Sequence, residues 1–428
     1  MNFENTLSFA QHLDGEDPLR QMRDEYLFPS LNNKNFIYLC GNSLGLQPKV
    51  AKEVLNVQLN NWQNLAVEGW FEGDSPWMFY HKELKKLMAP LVGAKPAEVC
   101  PMNTLTVNLH LLMVSFYRPK SNRFKIIMEA GAFPSDQYAI ESQVRFHGYD
   151  PNEAIIEVKP REGEYILSTD DILKAIELNG NELALVLFGG VNYFTGQCFD
   201  MPAITKAGHH AGALVGFDLA HAAGNVPLSL HKWDVDFACW CSYKYQNAGP
   251  GGISAIFVHE KHFTDTNLNR FAGWWGYNES KRFKMEKGFV PELGADGWQV
   301  SCTQVMPMAL YHASLLLFEK AGYIEPLRTK SKTLTNYLFY VINEVNIAIG
   351  FEQFKIITPL EEADRGAQVS IIAQSKGKEF FDKLVENYVL GDWREPNVIR
   401  LSPVPMYNSF EDVYRTGELL LTLSKSIL

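Results

Sequence analysis

Six short apolar runs constrain the fold of this chain more than any other feature. They are KIIME at Lys125–Glu129, AIIEV at Ala154–Val158, ALVLF at Ala184–Phe188, ALVGF at Ala213–Phe217, Phe237–Cys241 and Ile253–Val258. The first four lie about 30 residues apart and are separated by helical patterns such as Asp170–Leu178 and Ala203–Ala211. Strands that alternate with helices predict β-α-β units, and near-continuous apolar strands predict burial on both faces. The sequence therefore predicts an α/β fold with a mostly parallel sheet.

After about residue 305 this alternation stops, which predicts a second domain. The segments there are a long helical pattern from Met308 to Val345, strand-like runs Gln368–Ala373 and Val398–Leu401, and helical runs Lys378–Asn387 and Phe410–Ser424. Such a mixture is typical of a smaller α+β domain. We predict a large domain over 51–305 and a small domain over 306–428, with the N-terminal segment 1–50 packed against the small domain.

Composition excludes several classes of protein. The chain has 428 residues and a net charge of −10, with no basic stripe that could neutralise nucleic-acid phosphates. The N-terminus carries early acids and no apolar core with basic flanks, so no secretory signal is expected. No apolar run approaches the roughly 20 residues that span a bilayer. Six cysteines without a targeting signal are typical of reduced thiols, and we expect a cytoplasmic protein.

A lysine beside a glycine-rich turn is the strongest chemical signal in the chain. Lys244 follows the run Phe237–Cys241, stands between Tyr243 and Tyr245, and precedes the turn Gly249-Pro-Gly-Gly252. A lysine amine can form an imine with an aldehyde cofactor, and glycines let the backbone approach a bound group closely. Taken alone, Lys244 is equally compatible with a solvated surface lysine.

Asp218 lies 26 positions before Lys244, at the end of an apolar run. Ligands bind at the carboxyl ends of strands in open parallel sheets, and a carboxylate there can hold a pyridine nitrogen protonated. The alternative is an aspartate that caps the next helix. His221 is compatible with a cofactor contact or with a helix start. Together Asp218 and Lys244 predict a pyridoxal phosphate (PLP) site, because they supply a pyridinium partner and a covalent anchor.

Two further segments are compatible with the same cofactor. The segment Met102–His110 places Thr and Asn side chains at the start of a helical pattern, where free N–H groups can bind a phosphate. Locally an ordinary helix cap explains it better. Phe133, in Phe133-Pro-Ser-Asp136, follows the run Lys125–Glu129 and could lie flat on a pyridine ring or pack in the core.

Metal and nucleotide sites are not expected. Cys239 and Cys241 share one face of a strand, but no second Cys/His pair at metal-ligand spacing accompanies them. The turn Gly41–Gly45 contains no lysine and is therefore not a P-loop.

With these features, the chain resembles the fold-type-I PLP enzymes and, among them, the kynureninase family. The resemblance extends from about Tyr38 to Val413. Its motifs are GNSLGLQP at 41–48, LTVNLH at 105–110, AFPSD at 132–136, YAIES at 138–142, GFDLAHA at 216–222, DFACWCSYKY at 236–245 and PVPMYNS at 403–409. Each motif is short, but their combination in this order is highly specific.

The resemblance implies PLP as cofactor, a homodimer with active sites at the subunit interface, and hydrolysis of L-kynurenine or 3-hydroxykynurenine to an anthranilate and L-alanine. It makes Lys244 the lysine that binds the cofactor and Asp218 the partner of the pyridinium. Tyr243 becomes a proton donor that lines the cofactor together with His221. Arg400 would bind the substrate carboxylate, a bidentate role that suits a guanidinium, and Trp274 would reach the neighbouring subunit's site. The other implied cofactor contacts are Leu105, Thr106, Phe133, Pro134, Ser135, Asp136, Gly189 and Cys302, and the other substrate contacts are Ser43 and Trp70.

Three positions depart from the family's pattern. Trp70 replaces a usual histidine on the substrate-ring side, Cys302 replaces a usual Asn or Thr, and Gly189 replaces a usual Ser or Thr. These changes are compatible with tolerated drift, in which Ser301 or Thr303 takes over, or with a ring pocket reshaped for a substituted kynurenine.

Two other functions compete with this hypothesis. Cysteine desulfurases share the fold, but they usually carry histidine before the lysine, where this chain has Tyr243, and a reactive cysteine in the small domain, where this chain has none after Cys302. A catalytically silent protein could also keep the fold. The presence of Lys244, Asp218 and Arg400 argues against that alternative.

Overall fold

A computed structural model gives the fold for residues 2–265 and 267–427. Its helices are α1 (Leu7–Glu16), α2 (Ala51–Leu65), α3 (Tyr80–Val92), α4 (Leu105–Phe116), α5 (Pro134–Phe146), α6 (Pro151–Ala154), α7 (Thr169–Asn179), α8 (Met201–His210), α9 (Val305–Lys320), α10 (Ile324–Ile349), α11 (Gly377–Glu386) and α12 (Phe410–Ile427). Its strands are β1 (Tyr26–Leu27), β2 (Ser30–Leu31), β3 (Lys34–Asn35), β4 (Ile37–Tyr38), β5 (Gln47–Pro48), β6 (Val99–Pro101), β7 (Lys125–Glu129), β8 (Ile155–Val158), β9 (Leu183–Gly189), β10 (Leu214–Asp218), β11 (Phe237–Cys241), β12 (Ser254–Val258), β13 (Phe354–Ile356), β14 (Val369–Ala373), β15 (Val389–Leu390), β16 (Asp392–Arg394) and β17 (Val398–Leu401). Among the described residues, no helix combines the length and the apolar character needed to cross a bilayer.

The main sheet has seven strands in the order β6-β12-β11-β10-β9-β7-β8. The five strands from β11 to β8 are parallel, whereas β12 and β6 run antiparallel to their neighbours. The predicted mostly parallel sheet is confirmed, and β7 and β11 have the predicted bounds. Alternate residues of β11 enter two different hydrophobic clusters, Ala238 and Trp240 in one and Phe237 and Cys239 in the other. The sheet is therefore buried on both faces, as its apolar runs predict.

Two features of this sheet are less apparent from sequence. Strand β6 is only three residues long and ends in Pro101, so it carries no recognisable strand pattern. Strand β12 returns antiparallel to β11, so the 242–253 loop between them stays at the carboxyl end of β11. This return places Lys244 at the edge of the sheet where ligands bind.

The long helical pattern of 308–345 does not form one helix. Helix α9 ends at Lys320 and α10 begins at Ile324, with Gly322 and Tyr323 both at positive φ between them. Residues in this left-handed region end a helix, although the apolar periodicity continues on both sides. Periodicity alone does not reveal this three-residue break at 321–323.

A second sheet has the order β13-β14-β17-β16 and is fully antiparallel. The predicted runs at 368–373 and 398–401 correspond to β14 and β17. Residues of α10, α12, β14 and β17 share one hydrophobic cluster, which also includes Ala10 and Leu13 of α1. Strand β4 pairs in parallel with β15, so the N-terminal segment contacts this part of the chain by its backbone as well.

Candidate active site

The ends of three parallel strands meet at one cavity. Strands β7, β9 and β10 end at Glu129, Gly189 and Asp218, and Asp218 lies directly opposite Gly189 in the sheet. The cavity has a volume of about 180 Å³. Ten of the predicted site residues line it, namely Leu105, Thr106, Phe133, Ser135, Asp136, Gly189, Asp218, His221, Tyr243 and Lys244. Their convergence follows from the parallel topology, because all carboxyl ends of parallel strands lie at one edge.

Lys244 is buried in this cavity, with only 8% of its surface exposed. Its Nζ lies 3.0 Å from Nε2 of His221 and 5.7 Å from the centroid of the Phe133 ring. Burial and the charge of Lys244 hold the pKa of His221 well below its usual range. The neutral imidazole can therefore accept a hydrogen bond from the Lys244 ammonium through Nε2. The solvated surface lysine that the sequence left open does not describe this side chain.

Asp218 and Asp136 form a carboxyl pair beside Lys244. Burial and the nearby charge of Asp218 raise the pKa of Asp136 well above its usual range. The backbone N–H of Ala220 donates to Asp218 Oδ1 at 2.7 Å, and with Lys244 it opposes the rise in the pKa of Asp218 that burial causes. The pKa values of both carboxyls are raised, that of Asp136 more strongly, so Asp136 holds its proton more tightly than Asp218 does. An ionised carboxylate is what a protonated pyridine nitrogen requires.

Glu129 is a third acid in the cavity wall, and it was missing from the sequence prediction. Burial raises the pKa of Glu129 to about 7, although Asn192 Nδ2 donates to its Oε2 at 3.0 Å. The signal that could have found it is the same as for Asp218, an acid at the last position of an apolar strand. A Cβ on Gly189 would come within 2.9 Å of Glu129 Oε1. A Ser or Thr at position 189 would therefore require the Glu129 carboxyl to shift.

The start of α4 supplies the donors for an anion. Thr104 is the N-cap residue, its side chain makes no capping hydrogen bond in the described structure, and Thr104, Leu105 and Thr106 all face the cavity. The first N–H groups of a helix have no partner within the helix and favour negative charge. A phosphate can therefore bind at this end of the cavity.

These donors and acceptors fit PLP. Lys244 offers the amine, Asp218 the carboxylate for the pyridine nitrogen, and α4 the phosphate donors, while Phe133 borders the same cavity. Within the described chain, Nδ1 of His221 is buried without a hydrogen-bond partner, so the site has a polar atom still to satisfy. Pro134, also predicted as a contact, begins helix α5 next to Phe133.

Arg400 lies beside the cavity in an ionic cluster. It is 1% exposed, donates to the Tyr193 carbonyl at 2.6 Å, and pairs with Asp392 Oδ2 at 2.6 Å. Ser43 donates a hydrogen bond to the same oxygen of Asp392. Tyr193 lines the cavity and packs edge-on against Phe133, with ring centroids 5.2 Å apart. The structure thus brings together Ser43 and Arg400, and adds Asp392 and Tyr193, which sequence patterns did not single out.

Gly45 connects this cluster to the lysine loop. Its N–H donates to the carbonyl oxygen of Tyr243 at 2.8 Å. A Cβ at this position would overlap with the carbonyl oxygen of Lys244. Only glycine permits this approach between the turn that carries Ser43 and the loop that carries Lys244.

The remaining predicted residues lie on short 3-10 helices or in a loop, away from the cavity. Trp70 packs against Trp77 and Trp275, with ring centroids 5.7 and 5.5 Å away. Trp274 is 46% exposed and borders a separate surface depression, and Cys302 is exposed. One chain therefore assembles the cofactor side of the site, whereas these three residues remain apart from it.

Known proteins with similar sequences indicate one family. The aminotransferase class-V family matches residues 37–276, and the kynureninase C-terminal domain matches residues 327–420. The chain is 56% identical over 420 residues to the kynureninase of Flavobacterium psychrophilum, a match that covers 98% of both chains.

Solved structures show the fold at lower identity. The apo structure of a cysteine desulfurase from Thermococcus onnurineus NA1 superposes with a TM-score of 0.76 at 17% identity, covering 97% of this chain and 98% of the other. A C-DES mutant with glycine linked covalently to its PLP cofactor gives a TM-score of 0.76 at 16% identity, covering 93% and 98%. At these identities the likeness establishes the fold-type-I architecture and nothing about the reaction.

Proposed function

This chain belongs to the kynureninase family, and we propose that it uses PLP to hydrolyse the Cβ–Cγ bond of L-kynurenine or 3-hydroxy-L-kynurenine. The products are anthranilate, or its 3-hydroxy derivative, and L-alanine. The observation that carries the proposal is 56% identity over 98% of the chain, combined with Lys244 and Asp218 in one buried cavity. Fold alone would not separate this reaction from that of a cysteine desulfurase.

The cofactor supplies an electron sink for the pair of electrons left when the α-proton departs. Lys244 would hold the cofactor covalently and then move the α-proton, since its amine is buried and in contact with His221. Asp218 would keep the pyridine nitrogen protonated, and the N-terminus of α4 would bind the phosphate. Burial and the charge of Asp218 hold the pKa of Asp136 well above its usual range, so Asp136 would carry a proton more readily than Asp218.

Tyr243 is our candidate for the proton donor to the departing carbon. Burial and the neighbouring Cys241 raise the pKa of its phenol above the usual range, so the phenol stays protonated at neutral pH. Water adds to the γ-carbonyl, the Cβ–Cγ bond breaks with its electrons on Cβ, and a proton from Tyr243 completes the methyl group of alanine. The γ-carbon leaves as the carboxyl group of the anthranilate.

A substrate panel tests the reaction. The purified holoenzyme is incubated with L-kynurenine, 3-hydroxy-L-kynurenine, ring-substituted kynurenines and L-cysteine, and products are identified by mass spectrometry. We expect an anthranilate and alanine from one or both kynurenines. A protein that binds PLP but releases only sulfide from cysteine, or converts none of these substrates, would overturn the proposal. Faster turnover of a substituted ring would favour the reshaped ring pocket.

We also propose that the active protein is a homodimer with shared sites. The described surface exposes many large apolar side chains, among them Trp62, Val67, Phe71, Phe271, Trp274, Phe283 and Leu293. Phe283 packs against both Phe71 and Trp274, with ring centroids 6.2 and 5.6 Å away, and exposed apolar contacts of this kind are typical of an interface with another protein surface. A second copy is the occupant that would bring Trp274 to a cofactor cavity.

Mixing two inactive variants tests the shared site. Lys244→Ala and Trp274→Ala proteins are unfolded together, refolded and assayed, after light scattering has given the mass of each. A heterodimer combines one intact Lys244 with one intact Trp274 at one of its two sites, so we expect about a quarter of wild-type activity. A monomeric mass, or a mixture no more active than the better variant alone, would contradict the proposal.

A cytoplasmic location is proposed as well, since the chain's six cysteines are free thiols.

A further inference from the structure

An acid opposite Arg400 organises the carboxylate side of the site. Strands β16 and β17 are antiparallel, and Asp392 lies directly across from Arg400 in their register. Residues opposite each other in such a pair face the same side, so the two charged groups meet. Asp392 Oδ2 lies 2.6 Å from Arg400 Nη2 and 3.3 Å from Arg394 Nη2.

Asp392 also fixes the third partner of this cluster. The Ser43 hydroxyl donates to Oδ2 of Asp392, and Arg400 Nη2 lies 3.4 Å from Ser43 Oγ. Ser43 comes from the turn that follows β4, whereas Arg400 comes from β17. One carboxylate oxygen therefore holds groups from two segments that are far apart in sequence.

The cluster has one positive charge left for a ligand. Two guanidinium groups and one carboxylate carry a net charge of +1, which matches the single α-carboxylate of an amino acid. Arg400 also keeps donor capacity, because its Nε is buried and has no partner among the described residues. Without Asp392, a guanidinium that is only 1% exposed would have no buried counter-charge to fix its orientation.

We propose that Asp392 is a positioning residue that holds Arg400 and Ser43 ready for the substrate's α-carboxylate. The inference rests on the proposed function only in naming an α-amino acid as the ligand. If Asp392 served the fold alone, its removal would affect ligands with and without a carboxylate equally.

The experiment measures binding and turnover in the Asp392→Asn holoenzyme. L-Alanine, which bears the carboxylate, and L-alaninamide, which lacks it, are titrated while the cofactor's absorbance is followed. We expect alanine to bind about tenfold or more weakly and alaninamide to change less than threefold, as loss of a charge-assisted contact predicts. With kynurenine, KM should rise by a similar factor and kcat should stay within threefold. Glu395→Gln, an exposed acid on the same hairpin, is the matched control.

A double variant covers the case in which Asp392→Asn fails to fold. In Arg400→Met the guanidinium is gone, so adding Asp392→Asn should leave KM within twofold of Arg400→Met alone. Unchanged alanine affinity in Asp392→Asn, equal weakening of alaninamide, or a further tenfold rise of KM in the double variant would each overturn the proposal. Alanine binding needs no turnover, so a wild-type protein inactive on kynurenine would refute the proposed function without deciding the role of Asp392.

Discussion

The cofactor side and the substrate side of this site are built from different kinds of backbone. Glu129, Gly189 and Asp218 are the last residues of adjacent parallel strands, and Lys244 follows a fourth. Trp70 ends a short 3-10 helix, Cys302 lies in a loop, and Arg400 lies on the second sheet. The first group is placed by one sheet within one chain, whereas the second depends on contacts between distant segments. We therefore expect substitutions on the cofactor side to abolish chemistry and those on the substrate side to change selectivity.

The largest expected effect is that of Lys244→Ala on the cofactor side. Loss of both the covalent anchor and the proton carrier should lower kcat by about a thousandfold or more. It should also remove the absorbance band that borohydride abolishes in the wild type. Lys206→Ala, at an exposed lysine of α8, is the control and should retain both properties. A Lys244→Ala protein with near-normal turnover would contradict the role of Lys244 as anchor and proton carrier.

The next effect is that of Asp218→Asn. The amide cannot balance a positive pyridinium, so we expect kcat to fall by about a hundredfold while the protein still binds cofactor. Steady-state kinetics and the cofactor spectrum report the two properties separately. A kcat within twofold of wild type would show that another group stabilises the pyridinium.

Glu129→Gln tests a buried acid of the cavity wall that the structure identifies and the sequence patterns did not. The pKa of Glu129 rises from 4.5 to about 7 on burial, so its contribution to stability is present below pH 4.5 and is lost as pH rises through 7. In the cofactor-free protein this loss amounts to roughly 3 kcal/mol at most. The neutral glutamine avoids it, and thermal unfolding at pH 5.5 and 8 should show a gain in Tm that is larger at pH 8.

Glu157→Gln is the matched control for that measurement. It makes the same change at an exposed position of the neighbouring strand β8. Its effect on Tm should be small and equal at the two pH values. A Glu129→Gln gain that is the same at pH 5.5 and 8 would mean that Glu129 is ionised throughout this range.

The smallest expected effect is that of Trp70→His on the substrate side. The indole packs against two other tryptophans outside the Lys244 cavity, so its replacement leaves that cavity intact. We expect the ratio of kcat/KM values for kynurenine and 3-hydroxykynurenine to change by about tenfold, with the cofactor spectrum unchanged. Loss of the spectrum in this variant would show that the two sides are not separable.

The same division separates what sequence could predict from what it could not. Apolar runs about 30 residues apart indicate the parallel strands, and parallel strands bring Asp218 and Lys244 to one edge. The apolar pattern and the sequence motifs could therefore predict that Asp218 and Lys244 lie in one cavity. Asp392 was not, because its role depends on the register of a short hairpin, and nothing in the sequence specifies which residue faces Arg400.

Other misses have equally local causes. The break between α9 and α10 depends on the positive φ of Gly322 and Tyr323, and a tyrosine gives no warning of that conformation. Glu129 carried a usable signal as the acid at the end of β7. Such an acid can be assigned to a site only when the residues that surround it in the fold are known. The surroundings of Trp70 follow from long-range packing with Trp275, which no local pattern predicts.

The contact of Gly45 with the lysine loop limits which positions of this enzyme can be varied to change its substrate. Because that contact leaves no room for a side chain, it fixes the spacing between the turn that carries Ser43 and the loop that carries Lys244. Libraries aimed at new aryl rings can vary the segment around Trp70 while every member keeps the same distance between the Ser43 turn and the Lys244 loop. Libraries that vary position 45 would not keep that distance.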